Sequence, residues 1–156
     1  MAGKSRGASL IVVIKRLIGV IVGLGVFLIV YMFSSLSLLI APYLYISAVL
    51  TNLGWFVSAE SLLAVVAIGI GAIVAAFVAQ GKGVVLGIIV LVLSIGVNHL
   101  LSLGITFEWP STGAVAVSLW VLYVAAAVAG GIFGEHLAGR NIRHDEKAAA
   151  ALDAKA

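Results

Sequence analysis

The side chains best suited to chemistry inside an apolar environment stand close together in one stretch: Ser94, Asn98, His99 and Ser102. They interrupt an uncharged, hydrophobic segment, and polar groups in such segments usually face protein or water and often mark function. An imidazole can bind a metal, a haem or a quinone headgroup, or titrate near neutral pH. His99 and Asn98 are therefore the candidate cofactor-binding residues. The simpler interpretation, which we favour, is a hydrogen bond from one of them to backbone, Tyr123 or Ser118 of another helix.

A haem held by two histidines of one chain is disfavoured by their spacing. If residues 83–105 form a helix, His99 lies about 24 Å from its start at 1.5 Å per residue. His136 follows the apolar segment 113–134 and falls at the opposite end. One haem cannot join two residues separated by most of a bilayer, although a site shared with a second chain stays open. We therefore predict no bound cofactor and no metal.

No pattern of a catalytic centre is present in the sequence. The chain has no cysteine, which excludes thiolate catalysis, disulfides and Cys-ligated metals. It has no HExxH motif and no glycine-rich phosphate loop. An active site would have to be assembled from Asn98, His99 and Glu108. We predict that the protein is not an enzyme.

Three long hydrophobic segments must position these residues: 61–80, 83–105 and 113–134. Each is uncharged and has about the 20 residues that cross a ~30 Å hydrocarbon core. Only 10% of the chain is charged and 63% is hydrophobic, whereas soluble domains are about 25% charged. The sequence predicts an all-α, polytopic integral membrane protein that forms a single membrane domain over residues 1–156.

The first part of the chain supplies a further span. It lies within about residues 10–40 and begins either near Leu10, with Lys15 and Arg16 snorkelling to the interface, or near Leu17. Pro42 disfavours helix in the residue before it, so we expect the span to end before Ala41. Residues 42–58 are rich in Tyr and Trp, which prefer the headgroup level. We interpret them as an external interfacial or re-entrant segment, with a fifth span as the alternative.

The distribution of basic residues favours four spans in an antiparallel bundle. With four spans, all nine Lys and Arg residues fall on one side, which agrees with the positive-inside rule. Five spans would place Lys82 and the tail 135–156 opposite the basic N-terminus 1–16. We therefore predict cytoplasmic termini in the inner membrane of a prokaryote, and no nucleic-acid partner. Five basic residues are predicted to set topology and contact lipid headgroups: Lys15, Arg16, Lys82, Arg140 and Arg143.

Small residues recur every fourth position in three of the spans, which permits close helix contact in lipid. These ridges pack either within one bundle, as we favour, or against another protein. The residues are Gly19, Gly23, Gly71, Ala75, Ala79, Ala126, Gly130 and Gly134. Just beyond them, Glu135-His136 with Arg140, Arg143 and His144 is interpreted as a solvated helix end rather than as an anion or lipid site.

The leading hypothesis is a non-enzymatic membrane protein that acts by helix–helix association. It would be an accessory or scaffolding subunit of a membrane complex, or a homo-oligomer. One alternative is an oligomeric pore or small-solute transporter lined by Ser94, Asn98 and His99. Another is a cofactor-binding subunit of an electron-transfer complex that uses His99.

Overall fold

The computed structural model describes residues 3–34, 37–52, 58–101 and 114–153, and the side chains of 10–33, 41–52, 58–59, 61–97 and 117–142. These residues form five α-helices, which confirms the all-α class. They are α1 (Gly3–Ser34), α2 (Ser37–Asn52), α3 (Ala59–Ala79), α4 (Gly83–Leu101) and α5 (Ala114–Asp153).

Three helices contain stretches long and apolar enough to cross a membrane. They are Leu10–Phe33 of α1, Ser61–Ala79 of α3 and Val117–Ile142 of α5, while Gly83–Val97 of α4 is a shorter apolar stretch. Large hydrophobic side chains such as Ile21, Val92 and Val121 are about 60% exposed on the outer faces. Exposed apolar faces of this length suit lipid as the surrounding solvent, so the helices indicate membrane association.

Helix α3 lies at the centre and packs against each of the other four helices. Its alanines allow this, because a side chain of one carbon brings helix axes close together. Ala67, Ala72, Ala75 and Ala76 are completely buried. One face of α3 meets α1 and another meets α5, while α4 packs against both α3 and α5.

Larger side chains fill the space where the helices diverge. Phe27, Ile68, Leu119 and Tyr123 belong to one buried cluster with alanines of α3. A second cluster, nearer the connection between α3 and α4, joins Val20 of α1 with Leu86 and Val90 of α4. The described interior is therefore mostly apolar, and its buried polar residues are Ser61 and Ser94.

The helix boundaries around Pro42 differ from the prediction. Helix α1 ends at Ser34, residues 37–40 already belong to α2, and Pro42 lies inside α2 rather than before it. Proline removes one backbone hydrogen bond and its ring crowds the carbonyl of the fourth residue before it, here near the start of the helix. In an apolar environment the remaining backbone bonds favour helix over open chain. Among the described residues, helix α2 contacts α1 and α3 alone, and its Leu44 and Tyr45 are exposed.

Helix α5 runs on well past the predicted end of the last span at Gly134. It continues as one helix of 40 residues to Asp153, about 60 Å long at 1.5 Å per residue. The continuation is rich in Ala, Glu, Lys and Arg, which are good helix formers. The tail predicted at 135–156 is thus helical as far as it is described.

Candidate functional site

The connection between α3 and α4 is a tight turn with an unusual backbone. Helix α3 ends at the C-cap Gln80, which is left-handed (φ 56°, ψ 40°) and whose N–H donates to the Ala76 carbonyl at 3.0 Å. Gly81 has φ 154° and Lys82 has φ 54°. Glycine is the usual residue at such positions because a Cβ costs about 1–2 kcal/mol there. Two non-glycine residues therefore hold strained conformations in this turn.

The side chain of Glu135 on α5 binds the backbone of this turn. Its Oε1 accepts a hydrogen bond from the Lys82 backbone N–H at 3.2 Å, and its Oε2 accepts one from Gly83 N–H at 2.8 Å. The first N–H groups of a helix have no partner within the helix, and the helix dipole favours a negative charge there. Glu135 thus caps the N-terminus of α4 from more than 50 residues away.

Helix α1 reaches the same turn through Lys15. Its Nζ donates a hydrogen bond to Gln80 Oε1 at 3.3 Å, on the exposed side of the molecule. We call Lys15, Gln80, Lys82 and Glu135 the turn cluster. It brings together polar groups of α1, α5 and the α3–α4 turn at one end of the bundle.

Replacing Gln80 with glycine is expected to stabilise the protein by about 1 kcal/mol, because glycine adopts the left-handed conformation without the Cβ penalty. The measurement is thermal unfolding of the purified protein in a mild detergent. Lys15→Met is the matched control, since it removes the same exposed Lys15–Gln80 bond and leaves the backbone as it is; such exposed bonds are worth little. A lower unfolding temperature for Gln80→Gly than for Lys15→Met would show that the left-handed backbone at Gln80 does not destabilise the protein.

The first pair of predicted small-residue ridges meets between α1 and α3. A Cβ built on Gly19 would lie 2.6 Å from the Ala75 carbonyl oxygen, and one built on Gly71 would lie 2.8 Å from the Gly23 carbonyl oxygen. Ala79 also borders Gly19. Contacts step in opposite directions along the two helices, so α1 and α3 are antiparallel, with backbone against backbone.

The third predicted ridge meets a different face of α3. Gly130 of α5 lies against Gly69 and Ala72, and Gly134 lies against Ile73 and Ala76. Ala126 is 3.9 Å from the Cβ position of Gly69, which is ordinary contact. All three predicted ridges are therefore covered within the chain, and a partner would have to bind another surface.

A further ridge, between α4 and α5, was absent from the sequence prediction. Gly83 lies against Gly131, and Gly87 lies against Ala127, in both cases backbone to backbone. The signal was present, since each pair repeats at four residues, as in the predicted ridges. Four residues beyond Gly131 comes Glu135, so the same face of α5 that packs on α4 also carries its cap. Extending the ridge by one step would have identified Glu135.

The polar stretch of α4 is only partly described. Ser94 is 2% exposed, and its hydroxyl donates to the Val90 carbonyl at 2.6 Å within the same helix. Such a bond satisfies a buried hydroxyl without a partner helix. Asn98 and His99 belong to helix α4, but their side chains, as well as Ser102 and Glu108, lie outside the described residues.

Two of the side chains considered as partners for His99 take different positions. Tyr123 is buried in the core, edge-on to the Trp120 ring at 6.2 Å, while Ser118 is half-buried. Within the described residues, no group of three or more His, Cys, Asp or Glu is arranged to hold a metal ion.

The remaining predicted topogenic residues fall near the turn cluster. Arg16 follows Lys15 on α1 and is half-buried, and Lys82 and Arg140 are exposed. The side chain of Arg143 lies outside the described residues.

Comparison of the chain with protein-family models, curated proteins and solved structures found no match.

Proposed function

We propose that the protein is a four-span, non-enzymatic accessory subunit of a prokaryotic cytoplasmic membrane, with both termini in the cytoplasm. The four spans are α1, α3, α4 and α5, arranged antiparallel in chain order, with α2 at the external interface. Support for this topology comes from the turn cluster, which gathers Lys15 and Lys82 at one end of the bundle. Arg140 lies a little beyond the cluster on α5, so the positive-inside rule orients that end toward the cytoplasm.

The observation that carries the accessory role is the length of α5. Helices α3 and α4 meet in the turn at the level of Glu135, but α5 continues past that level to Asp153. This extension is about 27 Å long at 1.5 Å per residue. It carries charges of both signs, which suit a water-exposed contact with another protein rather than lipid. A rigid bundle whose small-residue ridges are internally covered would anchor this helix and present it to a partner.

Site-specific photocrosslinking in native membranes tests this role. A photoreactive amino acid at Lys147, on the part of α5 that lies beyond the apolar stretch Val117–Ile142, is expected to yield a crosslinked protein adduct. The same group at Val121, exposed on the membrane-spanning stretch of the same helix, should yield lipid adducts or none. An adduct with a second copy would identify a homo-oligomer. The absence of protein adducts from both positions would refute the association role.

Accessibility of single cysteines tests the topology, and the natural absence of cysteine makes every label specific. We expect Lys82→Cys and Asn141→Cys to react with an impermeant maleimide only after the cytoplasmic side is opened. Ser58→Cys, at the start of α3, should react in intact cells. An N-terminal tag reports the side of α1. Labelling of Lys82→Cys from outside, with a cytoplasmic N-terminus, would establish five spans instead, with α2 crossing the membrane.

The pore lined by Ser94, Asn98 and His99 and the cofactor site at His99 are competing proposals. Ser94 is buried and its hydroxyl donates to the Val90 carbonyl of the same helix. Both observations favour a packing role for Ser94 over a position in the lining of a solute path. Liposome flux that His99→Ala abolishes would favour the pore, and visible absorbance of the purified protein would favour a haem-type cofactor.

A further inference from the structure

A groove lies on the outer face of α5 just beyond the turn cluster. Its volume is about 480 Å³, and five residues of successive helical turns line it: Ile132, Glu135, His136, Gly139 and Arg140. A Cβ built on Gly139 would meet nothing within 4 Å. Gly139 therefore leaves open space between the side chains of His136 and Arg140. The groove therefore combines an open floor with a rim that carries the guanidinium of Arg140 and the imidazole of His136.

The charges around the groove favour an anion. Glu135 is the acidic side chain that lines it, and both of its carboxylate oxygens already accept backbone N–H groups at the start of α4. Arg140 forms no ion pair with any side chain in the described part of the chain and is exposed. Lys82 donates its backbone N–H to Glu135, so this exposed lysine belongs to the same end of the bundle as the groove. Arginine forks and imidazole N–H groups are suitable donors to phosphate oxygens.

An apolar surface continues from the groove along the span. Ile132 is 53% exposed and Phe133 is 55% exposed, and both belong to the stretch long enough to cross a membrane. A ligand in this groove thus meets the Arg140 and His136 donors at one end and an apolar surface at the other. We infer that the groove binds the headgroup phosphate of an anionic phospholipid, with Arg140 and His136 as donors and one acyl chain along Ile132. Free phosphate could bind the Arg140 and His136 donors, but it has no acyl chain to pack along Ile132.

Native mass spectrometry of the full chain in detergent tests the site. The probes are phosphatidylglycerol and phosphatidylcholine with the same acyl chains. We expect retention of phosphatidylglycerol, and Arg140→Gln should weaken it about fivefold, the effect of one basic residue near a lipid surface. Arg16→Gln is the matched control, because it removes a cation next to the turn cluster but on α1, which does not pack against α5.

Each other result overturns the inference in a defined way. Equal losses for Arg16→Gln and Arg140→Gln would mean diffuse headgroup attraction without a site. Equal retention of the two lipids would exclude charge recognition. Displacement of the lipid by millimolar inorganic phosphate would identify a free-phosphate site. Arg140→Lys keeps the charge but loses the fork, so it should retain more lipid than Arg140→Gln. These outcomes do not depend on a protein partner, so the accessory role can fail while the lipid site stands.

Discussion

Replacing Gly131 with leucine is expected to destabilise the protein by about 3 kcal/mol or more, the upper part of the range for overpacked cores. The Cβ alone would collide with the carbonyl group of Gly83, and Val84 N lies 3.2 Å from the same position. These atoms are backbone, so no side-chain rotamer can make room. The two helices must separate, which also removes Glu135 from the N-terminus of α4.

The chain supplies a matched control for this substitution on the same helix. Gly139→Leu on α5 places the same side chain where nothing lies within 4 Å. Since leucine has a higher helix propensity than glycine, by up to about 1 kcal/mol, this variant is expected to be neutral or slightly stabilised. The measurement is thermal unfolding in mild detergent, followed by circular dichroism.

Two other helices offer the same comparison. Gly87→Leu on α4 should destabilise and Gly96→Leu should not, and Gly23→Leu on α1 should destabilise while Gly25→Leu does not. Three matched pairs separate the effect of close backbone contact from that of adding a large apolar residue. If both members of each pair unfolded at similar temperatures, the helix contacts described here would be incorrect.

Glu135→Ala is expected to lower stability by about 1–2 kcal/mol, the range measured for helix caps. The substitution leaves the N–H groups of Lys82 and Gly83 without their acceptor and removes a negative charge from the helix dipole. The partial exposure of the site keeps the effect below that of a fully buried charged bond. Glu135→Gln should lose less, because one side-chain oxygen still accepts.

Hydrogen exchange gives a local readout of the same cap. The amides of Lys82 and Gly83 should exchange faster in Glu135→Ala, whereas amides in the middle of α5 should not change. His136→Ala is the control, since His136 is exposed on the neighbouring position of α5 and has no bond to the turn among the described residues. Unchanged protection at Lys82 and Gly83 would mean that Glu135 does not cap α4 in solution.

Local properties of the sequence predicted the elements of the fold well. Hydrophobic length places the stretch Ser61–Ala79 on the predicted span 61–80, because bilayer thickness fixes the number of apolar residues that a helix needs. The stretch Val117–Ile142 overlaps the predicted span 113–134 but continues beyond its end. The boundary near Pro42 was less predictable. Proline removes one hydrogen bond, and whether a helix continues through it depends on what surrounds the helix.

Only some features of the candidate site could be predicted in this way. A four-residue repeat of small residues predicts that a helix face can pack closely, and the ridge containing Gly130 and Gly134 was identified by that rule. The repeat does not say which helix it meets. The residues that line the groove, Glu135, His136 and Arg140, are interpreted from the sequence only as a solvated helix end, because the sequence does not show that Glu135 accepts hydrogen bonds from the start of α4.

The sequence by itself determined the helical class, the apolar stretches long enough to span a membrane, and the small-residue faces, because hydrophobicity and helical period are properties of neighbouring residues. The tertiary structure decided that α3 is central, that Ser94 is satisfied within its own helix, and that Glu135 caps α4. A hydrogen bond between residues more than 50 positions apart leaves no periodic trace in the sequence. It exists because packing of Gly83 against Gly131 brings the start of α4 within reach of the next turn of α5.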